Sequence, residues 1–276
     1  MEVLEKKEII KSSLGVPMLD SRPDRLVCKD LTKIYHTPNG DYTVLSELEL
    51  HVKQGEFISI IGHSGCGKST LLSMIAGLND ISAGKVLVDD EVVRGAGPDR
   101  AVVFQSPSLF PWLTALQNVL IGVKQVFPHA SKSQKLDICK YYLSKVGLGK
   151  DMNKRASELS QGMQQRVGIA RAFALKPKVL LLDEPFGMLD SLTRGELQDV
   201  LLEVWQKEKI TALMVTHDVD ESIFLADRVI MMTSGPFAKI GDELTIPFER
   251  PRDRVHVLEH PDYYEYRSYL MNFLNH

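Results

Sequence analysis

Residues 57–70 constrain this chain more than any other stretch. The near-continuous apolar run FISII (57–61) passes straight into Gly62-His63-Ser64-Gly65-Cys66-Gly67-Lys68-Ser69-Thr70, and the helical pattern KSTLLSMIAGL follows, closed by Gly77. An apolar run without polar alternation marks a strand buried on both faces. The glycines let backbone N–H groups close round an anion, and the helix start adds positive partial charge. The spacing G-x-x-x-x-G-K-[ST] between a buried strand and a helix is that of a phosphate cradle. Lys68 is placed to reach the β- and γ-phosphates of a nucleotide, and the Ser69 hydroxyl to ligate Mg²⁺.

Similar apolar runs recur at AVVF (101–104), VLLL (179–182), TALMV (211–215) and RVIMM (228–232). Helical patterns lie between them, among them QQRVGIARAFAL (164–175) and SLTRGELQDVLLEVWQK (191–207), where Leu197, Val200, Leu201 and Val204 share one face. Strands alternating with helices predict an α/β fold with a parallel sheet. Ahead of that core, RLVCKDLTKIY and TVLSELELHV alternate apolar and polar residues on either side of the turn PNGD (38–41). They predict an N-terminal antiparallel β subdomain.

Three further segments complete the expected organisation. Residues 1–24 are polar, contain Pro17 and Pro23, and read as an N-terminal extension. Residues 114–158, between FPWLT and the RASELSQG loop, read as a mostly helical insert in the core. Residues 246–276 form a tail in which Tyr263, Tyr264, Tyr266 and Tyr269 alternate with charges; a terminal amphipathic helix that packs back on the body is expected.

VLLLDEP (179–185) is an apolar strand that ends in two carboxylates. Ligands of such sheets gather at the carboxyl ends of the strands, so Asp183 and Glu184 are expected near Lys68. Asp183 is suited to hold Mg²⁺, and Glu184 to polarise an attacking water.

Composition narrows the possibilities. A net charge of −3 argues against a nucleic-acid partner. Three widely spaced cysteines suggest a reducing compartment, with neither a disulfide framework nor a zinc site. The charged start MEVLEKKEIIKSSLG is unlike an export signal, and no apolar run approaches a membrane span.

Four more motifs stand in a fixed order: Gln105 after AVVF, LSQGMQQR (159–166) opening a helix, Leu189-Asp190 closing the turn after the acid pair, and Thr216-His217-Asp218 after TALMV. With the phosphate loop they resemble the nucleotide-binding subunit of an ABC transporter over roughly residues 25–245. The resemblance implies a P-loop NTPase (RecA-like) core with an antiparallel β subdomain and a helical signature subdomain at about 114–165. It also implies roles. Tyr35 would stack on adenine. Residues 62–70 would hold the phosphates of ATP. Gln105 would touch Mg²⁺ or the lytic water and sense the membrane subunit. His217 would contact the γ-phosphate.

Ser160 and Gly162 would face the partner's γ-phosphate, and Asp190 would cross the interface between two cassettes. Gln161 and Met163 depart from the usual LSGGQ, but a helix start binds an anion without those side chains.

GEFISIIGHSGCGKSTLLSMIAGL, FQSPSLFPWLTALQNV and LLLDEPFGMLDSLTR look like the nitrate/sulfonate/taurine branch of importers. Within it, LSQGMQQRVGIARA, MVTHDVDES and the tail VLEHPDYYEYRSYLMNFLNH resemble the nitrate/nitrite importer ATPases. The expectation is therefore an ATPase at the cytoplasmic face of the membrane. Its implied partners are a second ATP-binding subunit, identical or a sister, two membrane permeases, and indirectly an extracytoplasmic solute-binding protein. The same role in a sulfonate, taurine, cyanate or bicarbonate importer is the alternative, followed by a soluble non-transport ABC ATPase. Phe110 and Trp112, two large apolar residues in a loop, are candidate anchors for a permease helix.

Overall fold

A computed structural model describes residues 21–38 and 40–275; the expected extension lies outside the described residues up to position 20. Two sheets organise the chain. The first joins β1 (Asp24–Thr37), β2 (Gly40–Lys53), β4 (Ala83–Val88) and β5 (Glu91–Val92) in the order β2-β1-β4-β5, with every pairing antiparallel. The second orders β10 (Ile240–Thr245), β9 (Arg228–Met232), β3 (Phe57–Gly62), β8 (Thr211–Val215), β7 (Val179–Asp183) and β6 (Arg100–Val103). It is parallel except where β10 returns along β9.

The apolar runs of the parallel sheet are explained by burial on both sides. Phe57, Ile61, Leu180, Leu182, Ala212 and Met214 point into one core, while Ile58, Ile60, Val179, Leu181, Leu213 and Val215 point into the other. The second core is roofed by α1 (Lys68–Ile75) and by the inner face of the antiparallel sheet, including Leu26, Leu31, Leu45 and Val86. The first core receives the remaining helices.

In the expected helical region, α2 (Ala115–Val126) and α3 (Lys132–Lys145) each begin with a capping box, Thr114 with Gln117 and Ser131 with Gln134. A short 3₁₀ turn, Ala156–Glu158, leads to α4 (Gln161–Ala174). That helix starts ahead of the 164–175 pattern because the Ser160 hydroxyl caps it, accepting from the Met163 N–H at 3.3 Å. Helix α5 (Ser191–Glu208) is capped by Asp190. Its buried face carries Leu197, Leu201 and Val204 as expected, and adds Gln198 and Trp205, while Val200 is only partly covered.

Helix α6 (Val219–Leu225) follows β8. The tail forms α7 (Arg254–Glu259) and α8 (Tyr263–Leu274) and returns onto the body, with Tyr266 wholly buried. Tyr264 remains exposed. Strands β4, β5 and β10 carry no strong sequence pattern, and none was expected there. No described helix is long and apolar enough to cross a membrane.

Candidate active site

The phosphate loop hangs on close backbone packing. Gly65 and Gly67 have φ values of 77° and 99°, in the left-handed region that favours glycine. A Cβ on Gly67 would stand 2.8 Å from both Val44 and Leu45 of β2, so only glycine lets the loop lie against that strand. Gly67 caps α1 without any side-chain bond, which leaves the first-turn N–H groups for an anion. Lys68 is buried, and its Nζ donates to the carbonyls of Gly62 and His63 at 2.9 Å each. His63, Ser64, Gly65 and Ser69 are exposed on the rim, and Thr70 is half-buried. His63 Nδ1 lies 3.3 Å from the Ser234 hydroxyl. The Cys66 side chain turns inward and is 1% exposed, so this residue offers the loop its backbone and not its thiol.

Opposite the loop, β7 delivers the acid pair. The Ser69 hydroxyl donates to Asp183 Oδ1 at 2.9 Å, joining the helix start to the strand end. Burial raises the Asp183 carboxyl above its ordinary range. Neighbouring Glu184 adds to this, and Ser69, Lys68 and His217 oppose it. Glu184 adopts φ 46°, while its N–H donates to the Val215 carbonyl at 2.9 Å. A left-handed conformation at a non-glycine residue costs on the order of 1 kcal/mol and is held here by the β8 contact. It sends the two adjacent carboxylates to different partners. Glu184 Oε1 meets His217 Nε2 at 2.7 Å. Gln105, just after β6, is exposed, and its Nε2 approaches Gly187. Gln105, Glu184, Thr216 and His217 line one open cleft of about 480 Å³.

Tyr35 is 37% exposed, accepts a 2.7 Å bond from the Asn79 amide on its hydroxyl, and carries the Lys33 ammonium 4.7 Å from its ring. Its directly paired residue on β2 is Tyr42, so both rings share a face of the hairpin. A Cβ on Gly235 would stand 3.6 Å from both the Tyr42 hydroxyl and the Gly65 carbonyl, which puts Tyr42 beside the phosphate loop. The sequence reading passed over this second aromatic. The pairing follows from Thr37 standing opposite Gly40; the turn PNGD taken as 38–41 would have set Tyr35 opposite Val44, so the sequence did not signal it.

Ser160, Gly162 and Asp190 form a separate group. Gly162 is buried with room for no side chain, because a Cβ would sit 2.5 Å from Thr193. The Thr193 N–H in turn donates to Asp190 Oδ1 at 3.0 Å, which holds that carboxyl below its usual range. Among the described residues no hydrogen bond or ion pair links this group to residues 62–70.

A buried polar network behind His217 was also missed. Glu221 accepts from the Thr216 hydroxyl and, at 2.8 Å, from the Gln198 amide. Burial pushes its carboxyl up to about 7, and Asp218 adds to the shift. The available signal was an acid four residues after His217, on a helix that also carries Val219, Ile223, Phe224 and Leu225.

Comparisons with known proteins agree with this geometry. Residues 45–187 match the ABC transporter family. The chain is 49% identical over 261 residues to the bicarbonate transport ATP-binding protein CmpD of Synechococcus elongatus, covering 94% of each chain. It is 50% identical over 242 residues to the nitrate import ATP-binding protein NrtD of the same organism, covering 88% of each. Among solved structures it is similar to the dimeric ATP-binding cassette MJ0796 in a post-hydrolysis state bound to ADP and Pi. That likeness has a TM-score of 0.73 at 31% identity and spans 81% of this chain and 100% of that one.

The chain therefore belongs to the ABC transporter family. It is an ATP-binding ATPase subunit that drives transport.

Proposed function

We propose that this chain powers an importer of nitrate or nitrite at the cytoplasmic face of the membrane, as a peripheral subunit. The observation that carries its ATPase mechanism is the convergence of Lys68, Ser69, Asp183, Glu184 and His217 at the carboxyl ends of β3, β7 and β8. The nitrate assignment is supported by similarity to NrtD; similarity to CmpD favours bicarbonate as the second reading.

In this reading the phosphates of ATP lie along 62–70, and Lys68 exchanges its loop carbonyls for β- and γ-oxygens. Glu184 orients and deprotonates the attacking water, and His217 donates toward the γ-phosphate. Tyr35 stacks on the adenine. Ser69 and Asp183 offer hard oxygen donors 2.9 Å apart, a set that fits Mg²⁺, with Gln105 as a further oxygen ligand. When bound, Mg²⁺ would neutralise charge on the β- and γ-phosphates.

Ser160, Gly162 and Asp190 make no bond to their own phosphate loop, which supports a role in completing the site of a second ATP-binding subunit. That subunit is a second copy or a sister chain. ATP held between two cassettes then favours the closed pair, and hydrolysis releases it. Phe110 and Trp112 are 42% and 67% exposed with ring centroids 5.6 Å apart. An aromatic pair left in water beside the Gln105 loop suits docking of one of two membrane permeases. A solute-binding protein outside the membrane would act on this chain only through them.

The test is uptake into proteoliposomes carrying the chain with its permeases and solute-binding protein. ATP-driven nitrate or nitrite accumulation is expected. Bicarbonate accumulation without either would move the assignment to the second reading.

A further inference from the structure

The C-terminal segment reaches the back of the catalytic histidine loop through an unbroken line of polar contacts. Arg254, on α7, donates from Nη2 to Gln198 Oε1 at 2.8 Å. Gln198, on α5, donates from Nε2 to Glu221 Oε1 at 2.8 Å. Glu221 Oε2 accepts from the Thr216 hydroxyl, which itself accepts the Asp218 N–H at 3.1 Å. His217 lies between Thr216 and Asp218, with its ring 2.7 Å from Glu184.

The direction of the two bonds made by Gln198 is determined by chemistry. A guanidinium has no acceptor, so the Gln198 carbonyl must face Arg254 and its NH₂ must face Glu221. The carboxylate then accepts from both sides. Gln198 and Glu221 are buried, so a break in the line deprives a buried donor or acceptor of its partner.

The same segment grips α6 at three further points. Arg252, 9% exposed, donates to the carbonyls of Ile223, Phe224 and Ala226, the orphan acceptors at the end of α6, and also to Ile246. Tyr263 and Arg267, on α8, both donate to Asp220 Oδ1, at 2.6 Å and 2.8 Å. Arg254 also stacks its guanidinium 4.0 Å over Phe224 of α6. The loop that presents His217 is the N-terminal lead of this clamped helix, and Asp218 is its cap.

We propose that residues 250–274 are a positioning element for His217, acting through the line Arg254–Gln198–Glu221–Thr216, with Glu221 as its central positioning residue. The inference rests on the reading of His217 as the γ-phosphate contact. Among the described residues no hydrogen bond or ion pair joins the segment to the phosphate loop or to the Ser69–Asp183 pair, although Arg267 and Met271 line the cleft that holds Glu184 and His217. The effect is therefore expected on turnover and not on nucleotide affinity.

The test uses the full-length chain, with steady-state ATP hydrolysis, nucleotide titration and thermal unfolding of each variant. Arg254→Ala is expected to lower kcat about fivefold while KM for ATP stays within about twofold. Arg254→Lys, which can still donate to Gln198, should recover most of the loss. Gln198→Met breaks the same line without touching the tail and should reproduce the kcat defect. Because the contacts are in series, Arg254→Ala combined with Glu221→Ala should be no slower than Glu221→Ala alone.

Unchanged kcat in both Arg254→Ala and Gln198→Met would overturn the proposal, as would additive losses in the double variant. His217→Ala separates the two levels. If it abolishes turnover while Arg254→Ala and Gln198→Met do not affect it, the relay alone fails. If it hydrolyses ATP normally, the reading of His217 fails with it.

Discussion

Glu184 and His217 meet at 2.7 Å across the adjacent ends of β7 and β8. The contact exists because Glu184 takes a left-handed backbone turn that Asp183, its neighbour, does not. One carboxylate is thereby assigned to Ser69 and the other to the histidine. In the proposed role of general base, Glu184 would contribute roughly 10²–10⁴-fold to rate. Glu184→Gln is therefore expected to lower ATP hydrolysis by at least about 100-fold. The same variant should retain bound ATP and shift to a dimer, seen by nucleotide content and light scattering. Normal phosphate release would show that the water is activated elsewhere.

Lys68 is the buried cation of the loop, and it donates to two backbone carbonyls. Lys68→Met keeps the stem and removes the charge. A hydrogen bond to a charged group is worth about 1.5–3 kcal/mol, so nucleotide affinity should fall roughly 10- to 100-fold. Titration with a fluorescent ATP analogue measures this. Equal affinity in the variant would mean that the helix start alone holds the phosphates.

Glu221 makes stability depend on pH. Its carboxyl titrates near 7 in the folded chain against 4.5 in its ordinary state, because burial penalises the charge. Asp218 raises it further, while Thr216, Gln198 and Arg194 oppose the shift. The folded chain binds the proton more tightly, so the contribution is complete below 4.5 and is lost as pH rises through 7. At about 1.4 kcal/mol per pH unit, this group costs roughly 2–3 kcal/mol between pH 5 and pH 8. Urea denaturation of wild type and Glu221→Gln at both pH values should show the variant losing less stability on the alkaline side. Parallel losses in the two proteins would refute the assignment.

Arg252 donates to five carbonyls at once, three of them at the end of α6. Arg252→Met leaves those acceptors buried without donors and should cost at least about 3 kcal/mol. The denaturation midpoint reports it. A change below about 1 kcal/mol would mean that water enters and replaces the guanidinium.

Tertiary structure also changed the reading of single residues. Cys66 belongs to the phosphate loop by spacing, yet its thiol is packed beneath the loop. Tyr35 stands out only through the family resemblance, and the ladder pairs it with a second aromatic, Tyr42. Strand β5 has only two residues and lies at a sheet edge, β4 is buried at Val86 and Val88 but exposed at Ala83, Gly84 and Lys85, and β10 pairs on one side only. Such strands need little hydrophobic patterning, so they leave little trace in the sequence.

The sequence by itself determined whatever depends on neighbours along the chain. The runs at 57–61, 179–182 and 211–215 had to be doubly buried strands, because no alternating surface could carry them. The loop at 62–70 had to turn where its glycines stand, and the helical pattern at 191–207 had to bring Leu197, Leu201 and Val204 to one face. Only the tertiary structure decided that Ser69 bonds Asp183, that Glu184 turns to His217, and that Arg254 reaches Glu221 through Gln198. Those partners are far apart along the chain, and their meeting follows from strand order, register and helix packing, which no local pattern encodes.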